Sequence, residues 1–221
     1  MISLQTGKRF TYPYPVTIYE DVLDRTMYRR MVKTFPEELD ESRVYKEGSY
    51  YNKASLSSRH NYVAFNAVLA STPDWKLFFG HIKSNFADMC VEAVGVDLSQ
   101  YKSRRVMFEF SSLPADGGGL RPHPDSPKKI ATAVMFFEPG WSVKWGGAFE
   151  ALQHKTDPLG NFDGRRCRWP DCKTIIKVNV EPNRMVFMKR TPYSLHGVRP
   201  MCAPRPRRSV TINLVCKNAK G

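Results

Sequence analysis

From residue 104 onward the hydrophobic period of the chain becomes two, and this change constrains its fold more than any other feature. Candidate strands are Arg104 to Phe110, Ile130 to Phe137, Ala148 to Leu152, Thr174 to Val180, Met185 to Met188, Gly197 to Met201 and Ser209 to Val215. Turns rich in Gly, Pro and Asn separate them, as in P-A-D-G-G-G, E-P-G-W and E-P-N-R. Many short strands in succession, with almost no helix between them, indicate a β-sandwich or jelly roll.

The first hundred residues read differently. From Tyr19 to Phe35, Leu23, Met27 and Met31 recur every fourth residue, the period of an amphipathic helix, and Pro36 is placed to end it. A second helix runs between Thr72, a candidate cap followed by Pro73, and Gly95, which sits where a C-terminal cap belongs. Trp75, Phe78, Phe79, Ile82, Phe86, Met89 and Cys90 draw one broad apolar face along it, expected to pack as core. Between the helices lies a polar, Tyr-rich stretch, Glu38 to Lys53. The expected fold is α+β and mainly β: one domain over 1–221, with helical support in 1–103 and a jelly-roll core in 104–221.

At 221 residues, with 42% hydrophobic content, the chain can bury a substantial single core. A net charge of +13 points to an anionic partner: a phosphorylated or carboxylated small molecule, nucleic acid or a membrane surface. No apolar run approaches the roughly 20 residues of a spanning helix, and the N-terminal sequence lacks a signal-peptide apolar region. Five scattered cysteines, Cys90, Cys167, Cys172, Cys202 and Cys216, are not a secreted disulfide framework, so a reduced, cytoplasmic protein is expected.

The chemistry starts in R-P-H-P-D-S-P-K-K, residues 121–129. In an extended chain residues i and i+2 point to the same side, so His123 and Asp125 can converge on one ion. Alone, an H-x-D is weak evidence. His196, in Y-S-L-H-G-V between two later candidate strands, strengthens it. Two imidazoles and one carboxylate match the facial triad of non-haem Fe(II) oxygenases, which leaves coordination positions open. Structural zinc calls for four protein ligands; Cys167 and Cys172 are spaced too widely for a knuckle and have no matching second pair.

The last strand, P-R-R-S-V-T-I-N-L-V, places Arg207, Ser209, Thr211 and Asn213 on one face. Arg208, Val210, Ile212 and Leu214 share the other, which is apolar apart from its first residue and must pack against the helices or the other sheet. A guanidinium on the polar face, with hydroxyls beside it, is equipment for gripping a dicarboxylate next to a metal.

Taken together, His123-x-Asp125, His196 and Arg207-x-Ser209 resemble the Fe(II)/2-oxoglutarate-dependent oxygenases, in particular the prolyl-hydroxylase-like branch. The resemblance covers roughly residues 104 to 217 and includes K-K-I-A-T-A-V-M-F-F-E-P, W-G-G-A-F-E and P-N-R-M-V-F. It implies a double-stranded β-helix holding Fe(II) through His123, Asp125 and His196. It also implies 2-oxoglutarate with its far carboxylate on Arg207, Ser209 and Thr211 assisting, and O2 consumed as succinate and CO2 are released. Asp125 argues for hydroxylation, because halogenating relatives lack that carboxylate. Where many relatives place a tyrosine that touches the co-substrate, this strand has Phe136 and Phe137, with Thr132 as a substitute donor to consider.

The specificity element is expected in Gln153 to Cys172, which carries Arg165, Arg166 and Arg168 beside Trp169, with Arg121 also placed to face the site. A basic cluster with an aromatic suits a phosphorylated or carboxylated metabolite, and equally a protein or single-stranded nucleic-acid substrate. It also suits a merely solvated loop. Three classes therefore stand: a hydroxylase of a small anionic, amino-acid- or sugar-derived molecule, a macromolecular oxygenase, and a non-catalytic jelly roll that binds metal or carbohydrate. His60, His81 and His154 have no partners at ligand spacing and are expected to be ordinary polar residues.

Overall fold

The computed structural model describes residues 2–4, 7–35, 61–64 and 72–216. The Tyr-rich stretch from Glu38 to Lys53, with Pro36 and His60, lies outside them. The elements in chain order are β1 (Lys8–Phe10), β2 (Val16–Tyr19), α1 (Arg25–Lys33), β3 (Asn61–Ala64), α2 (Pro73–Val94) and β4 (Arg104–Leu113). There follow β5 (Leu120–His123), β6 (Lys129–Phe136), β7 (Phe149–His154), β8 (Cys172–Val178), β9 (Met185–Lys189), β10 (His196–Val198) and β11 (Arg207–Cys216).

Two antiparallel sheets result. The larger has the order β1-β2-β9-β6-β11-β4-β3 and the smaller β5-β10-β7-β8. β11 is the axis of the larger sheet, pairing with β4 from Arg207↔Leu113 to Cys216↔Arg104 and with β6 on its other side. The seven expected strands are all present with shifted ends. β10 begins at His196 and ends at Val198, short of the expected Met201, because Pro200 has no N–H to continue the ladder.

Each face of the larger sheet has its own core. On the outer face Val210, Ile212 and Leu214 pack with the helices around Trp75, Phe78, Ile82 and Phe86, all with essentially no exposure. Between the sheets Phe136, Val186 and Met188 meet Phe149, Ala151, Ile176 and Val198. The alternation expected for β11 therefore holds: apolar residues toward the helices, polar residues toward the space between the sheets.

α2 ends as its sequence predicts, with Gly95 in the left-handed region at φ 64°. Its start differs: Thr72 makes no side-chain cap bond and, among the described residues, its buried hydroxyl has no partner, so Pro73, with its preset φ, opens the helix. The first helix is shorter than expected, starting at Arg25 where Asp24 accepts from the Thr26 and Met27 amides at 3.0 and 3.1 Å. Tyr19 belongs instead to β2, whose V-T-I-Y gains its partners from β9 and β1. The first hundred residues thus add three strands to the larger sheet as well as the two helices.

Candidate active site

β5 was not legible as a strand, yet it assembles the site. It pairs with β10 so that His196 lies directly opposite His123, with Ala151 of β7 on the far side. The two imidazole centroids are 4.6 Å apart. His123 Nδ1 lies 2.7 Å from the Arg121 carbonyl and His196 Nδ1 3.1 Å from the Ser194 carbonyl. A carbonyl only accepts, so each Nδ1 carries the proton and each Nε2 presents a bare lone pair. Burial, together with the neighbouring His196, pulls the His123 pKa down to about 4, and burial lowers that of His196. Both rings are neutral at pH 7.

Asp125 follows just past the end of β5, and ligand atoms of His123, Asp125 and His196 all lie within 4.8 Å of one another. Burial alone would raise the Asp125 pKa. The Lys129 ammonium and His196, with hydrogen bonds from Lys129 and Thr132, outweigh it and hold the carboxyl below its ordinary value. Lys129 Nζ donates to Oδ1 at 2.6 Å, and the Thr132 hydroxyl donates to Oδ2 at 2.7 Å. Two neutral imidazoles and an ionised, oriented carboxylate form a donor set that fits a divalent first-row metal with positions left open.

These residues sit on the wall of a cavity between the sheets, which continues to Arg207 and Thr211. Arg207 is 3% exposed. Its Nη1 donates to the Gly147 carbonyl and its guanidinium lies 5.4 Å from the Phe136 ring centre. Ser209, on the same face of β11, is fully buried; among the described residues its hydroxyl has no hydrogen-bond partner, and it is not among the cavity-lining residues. Phe136 lines the cavity, whereas Phe137 turns to the helix side and stacks on Tyr28. The Thr132 hydroxyl, considered as a co-substrate donor, is engaged by Asp125 and lies 3.0 Å from Asn213 Oδ1.

The loop before β8 is fastened beside this site. The Cys167 amide donates to the Pro122 carbonyl at 2.8 Å, one residue from His123. Arg190 donates to both Asp163 of the loop and the Asp125 carbonyl. Trp169 rests against Gly197, where an added Cβ would come within 3.0 Å of the indole, and the Arg199 guanidinium stacks on it at 4.3 Å. Arg165, Arg166 and Arg168 are exposed and do not line the cavity, and Arg168 is paired with Asp171. Arg121 is likewise exposed and outside the lining. Burial raises the pKa of both Cys167 and Cys172, the latter to about 12, so in the metal-free protein both thiols are protonated at neutral pH. His81 and His154 stand apart from the histidine pair, His154 against Phe162.

Sequence reasoning missed Lys129, Ser111, Phe149 and Met188 on the cavity wall. Only Lys129 had a signal, its place four residues after Asp125, and Lys128 beside it has the same chemistry.

Residues 108–215 match the family model of the 2OG-Fe(II) oxygenase superfamily. That stretch, just under half of the chain, carries a 2OG-Fe(II) oxygenase domain. No curated protein matches the sequence. Among solved structures, this oxygenase is similar to a Trichoplax adhaerens prolyl hydroxylase in complex with a hypoxia-inducible-factor peptide fragment. The TM-score is 0.62 at 15% identity, covering 91% of this chain and 84% of that one. A Pseudomonas putida prolyl-4-hydroxylase gives 0.61 at 13% identity, covering 92% and 93%. HygX from Streptomyces hygroscopicus, with nickel and 2-oxoglutarate bound, gives 0.57 at 10% identity, covering 91% and 83%. The oxygenase is thus an enzyme of prolyl-hydroxylase-like fold that uses Fe(II), 2-oxoglutarate and O2, which sets aside a non-catalytic jelly roll. Among the described residues no helix is long and apolar enough to cross a membrane.

Proposed function

We propose that this oxygenase hydroxylates a C–H bond of a small anionic, amino-acid- or sugar-derived metabolite. His123 and His196, each through Nε2, and Asp125 hold the Fe(II). Arg207 receives the far carboxylate of 2-oxoglutarate, with Thr211 beside it and the Ser209 hydroxyl assisting. One observation carries this assignment: a buried arginine shares a single cavity with two neutral histidines and an ionised aspartate. The bound metal and co-substrate supply O2 activation and C–H oxidation, with succinate and CO2 as co-products.

The chain's own part is orientation and exclusion of water. Thr132 and Lys129 fix the Asp125 carboxylate, and the Arg121 and Ser194 carbonyls fix the imidazole tautomers. Val134, Phe136, Phe149 and Met188 make the walls apolar. Arg121, Arg165, Arg166 and Arg168 near Trp169, on a chain of net charge +13, support an anionic substrate gathered from solution. Five free cysteines support a reducing, cytoplasmic setting. The outer-face core joining both helices to the larger sheet supports one oxygenase unit over the whole chain.

A second reading, a protein side chain or nucleic acid as substrate, draws on exposed Arg165 and Arg166 and on the peptide bound to the Trichoplax enzyme. Titration of 2-oxoglutarate into the Mn(II)-loaded protein tests the site assignment. Arg207→Ala is expected to weaken binding about 30-fold or more, the loss for truncating one partner of a buried charge pair, with Mn(II) affinity unchanged. Equal 2-oxoglutarate affinity in the variant would remove Arg207 from the site. Whether metabolites or basic-surface-binding polymers stimulate succinate release then separates the two substrate readings.

A further inference from the structure

A second carboxylate stands on the cavity side of the larger sheet and has no part in the site described so far. Glu109 lies on β4 directly opposite Thr211 of β11, two residues before Ser111. Ser111 and Thr211 both line the cavity, and Phe108 and Phe110 on the other face pack against the helix-side core. Strand alternation therefore turns Glu109 toward the cavity side of the sheet. Among the described residues its carboxylate makes no hydrogen bond or ion pair, although the residue is half-buried.

Its surroundings make that position costly. Burial raises its pKa above the ordinary carboxyl value, Asp125 repels its charge, and Lys129 offsets these only in part. A buried carboxylate is stable when paired, and a cation delivered by a substrate would complete the pairing. Glu109 and Lys129 lie on strands to either side of β11, since Lys129 pairs with Val215 and Glu109 with Thr211. One negative and one positive group therefore flank the strand that carries Thr211, Lys129 on the cavity wall and Glu109 beside it on the same side of the sheet.

We infer that Glu109 is a specificity-determining residue that receives a primary ammonium group of the substrate, so that the substrate class is amino-acid-like, with an anionic group directed to Lys129. This inference rests on the proposed Fe(II)/2-oxoglutarate site. The ammonium has two sources of the same chemistry, a free amino acid or a lysyl side chain in a peptide.

The test uses full-length protein loaded with Mn(II) and saturated with 2-oxoglutarate, and titrates binding by calorimetry. The probes are the free amino acids, each beside its N-acetyl form, and lysine-containing tetrapeptides beside their acetyl-lysine counterparts. At least one ammonium compound is expected to bind, and acetylation to weaken it tenfold or more, a difference of about 1.4 kcal/mol. Binding among the free compounds assigns the ammonium to an amino acid; binding among the tetrapeptides alone assigns it to a lysyl side chain. Glu109→Gln is expected to abolish the preference for the ammonium form while Mn(II) and 2-oxoglutarate affinities hold, and Glu109→Asp, which keeps the charge, to retain it.

The inference is overturned if no ammonium compound binds the wild type, if both forms bind it alike, or if Glu109→Gln keeps the preference. Failure of 2-oxoglutarate itself to bind would instead overturn the underlying site assignment, and the inference with it.

Discussion

At the scale of the residue, the site depends on groups that hold other groups still. The Thr132 hydroxyl, 2.7 Å from Asp125 Oδ2, orients a ligand carboxylate without touching the metal position. Thr132→Val keeps the shape and deletes that bond, so Mn(II) affinity is expected to fall about tenfold or more, the usual effect of removing a partner that orients a ligand. Equal affinity by titration would show that Lys129 alone fixes the carboxylate. His123 makes a pH prediction. Its folded pKa of about 4 lies below the ordinary 6.5, so the unfolded chain binds the extra proton first. The stability this contributes is complete above pH 6.5 and is lost as pH falls toward 4. Urea melts of metal-free protein are expected to show that loss, with His123→Gln flattening it; identical pH profiles for the two would contradict it.

Residue types were legible where chemistry is rare. His123, Asp125, His196 and Arg207 stood out because few structural roles require them in that order. Lys129 and Glu109 did not, because a lysine or glutamate in a strand is ordinary until the strand's neighbours are known.

At the scale of the element, α2 was the most readable piece of the chain. Proline at its first position, a left-handed glycine at its end and a continuous apolar face are all local signals. Its aromatic face matters to the site through β11, whose outer residues it buries. Trp75, with no exposure and its ring 4.9 Å from Phe110, locks the helix to β4. Trp75→Ala is expected to cost about 3–5 kcal/mol in urea unfolding. A loss under 1 kcal/mol would mean that the helix adapts around the gap.

β2 and β5 were not readable, for different reasons. V-T-I-Y continues smoothly into a helical pattern, and only pairing with β9 on one side and β1 on the other makes it a strand. L-R-P-H has no alternation at all; β10 supplies its partners, and its one function is to set His123 opposite His196. Strands made by their neighbours are invisible to local periodicity.

At the scale of the whole molecule, the two sheets act as plates clamped around a polar seam. The larger plate carries Arg207 and Thr211; the smaller carries His123 and His196; Asp125, in the connection between β5 and β6, bridges them. The jelly-roll class followed from strand count and turn chemistry, but the division of strands between plates depends on long-range pairing such as Tyr19 with Met185. The basic character of the chain was legible from composition, whereas its placement was not: Arg165 and Arg166 stay outside, and Arg207 goes to the core.

The central claim is that this seam joins one metal to one 2-oxoglutarate. Anaerobic addition of Fe(II) and then 2-oxoglutarate to the purified protein, followed by visible absorption, tests it most directly. The expected result is a metal-to-ligand charge-transfer band that is absent in His196→Ala and needs far more 2-oxoglutarate in Arg207→Ala. A folded wild-type protein that gives no band, or a band of full strength in His196→Ala, would contradict the account.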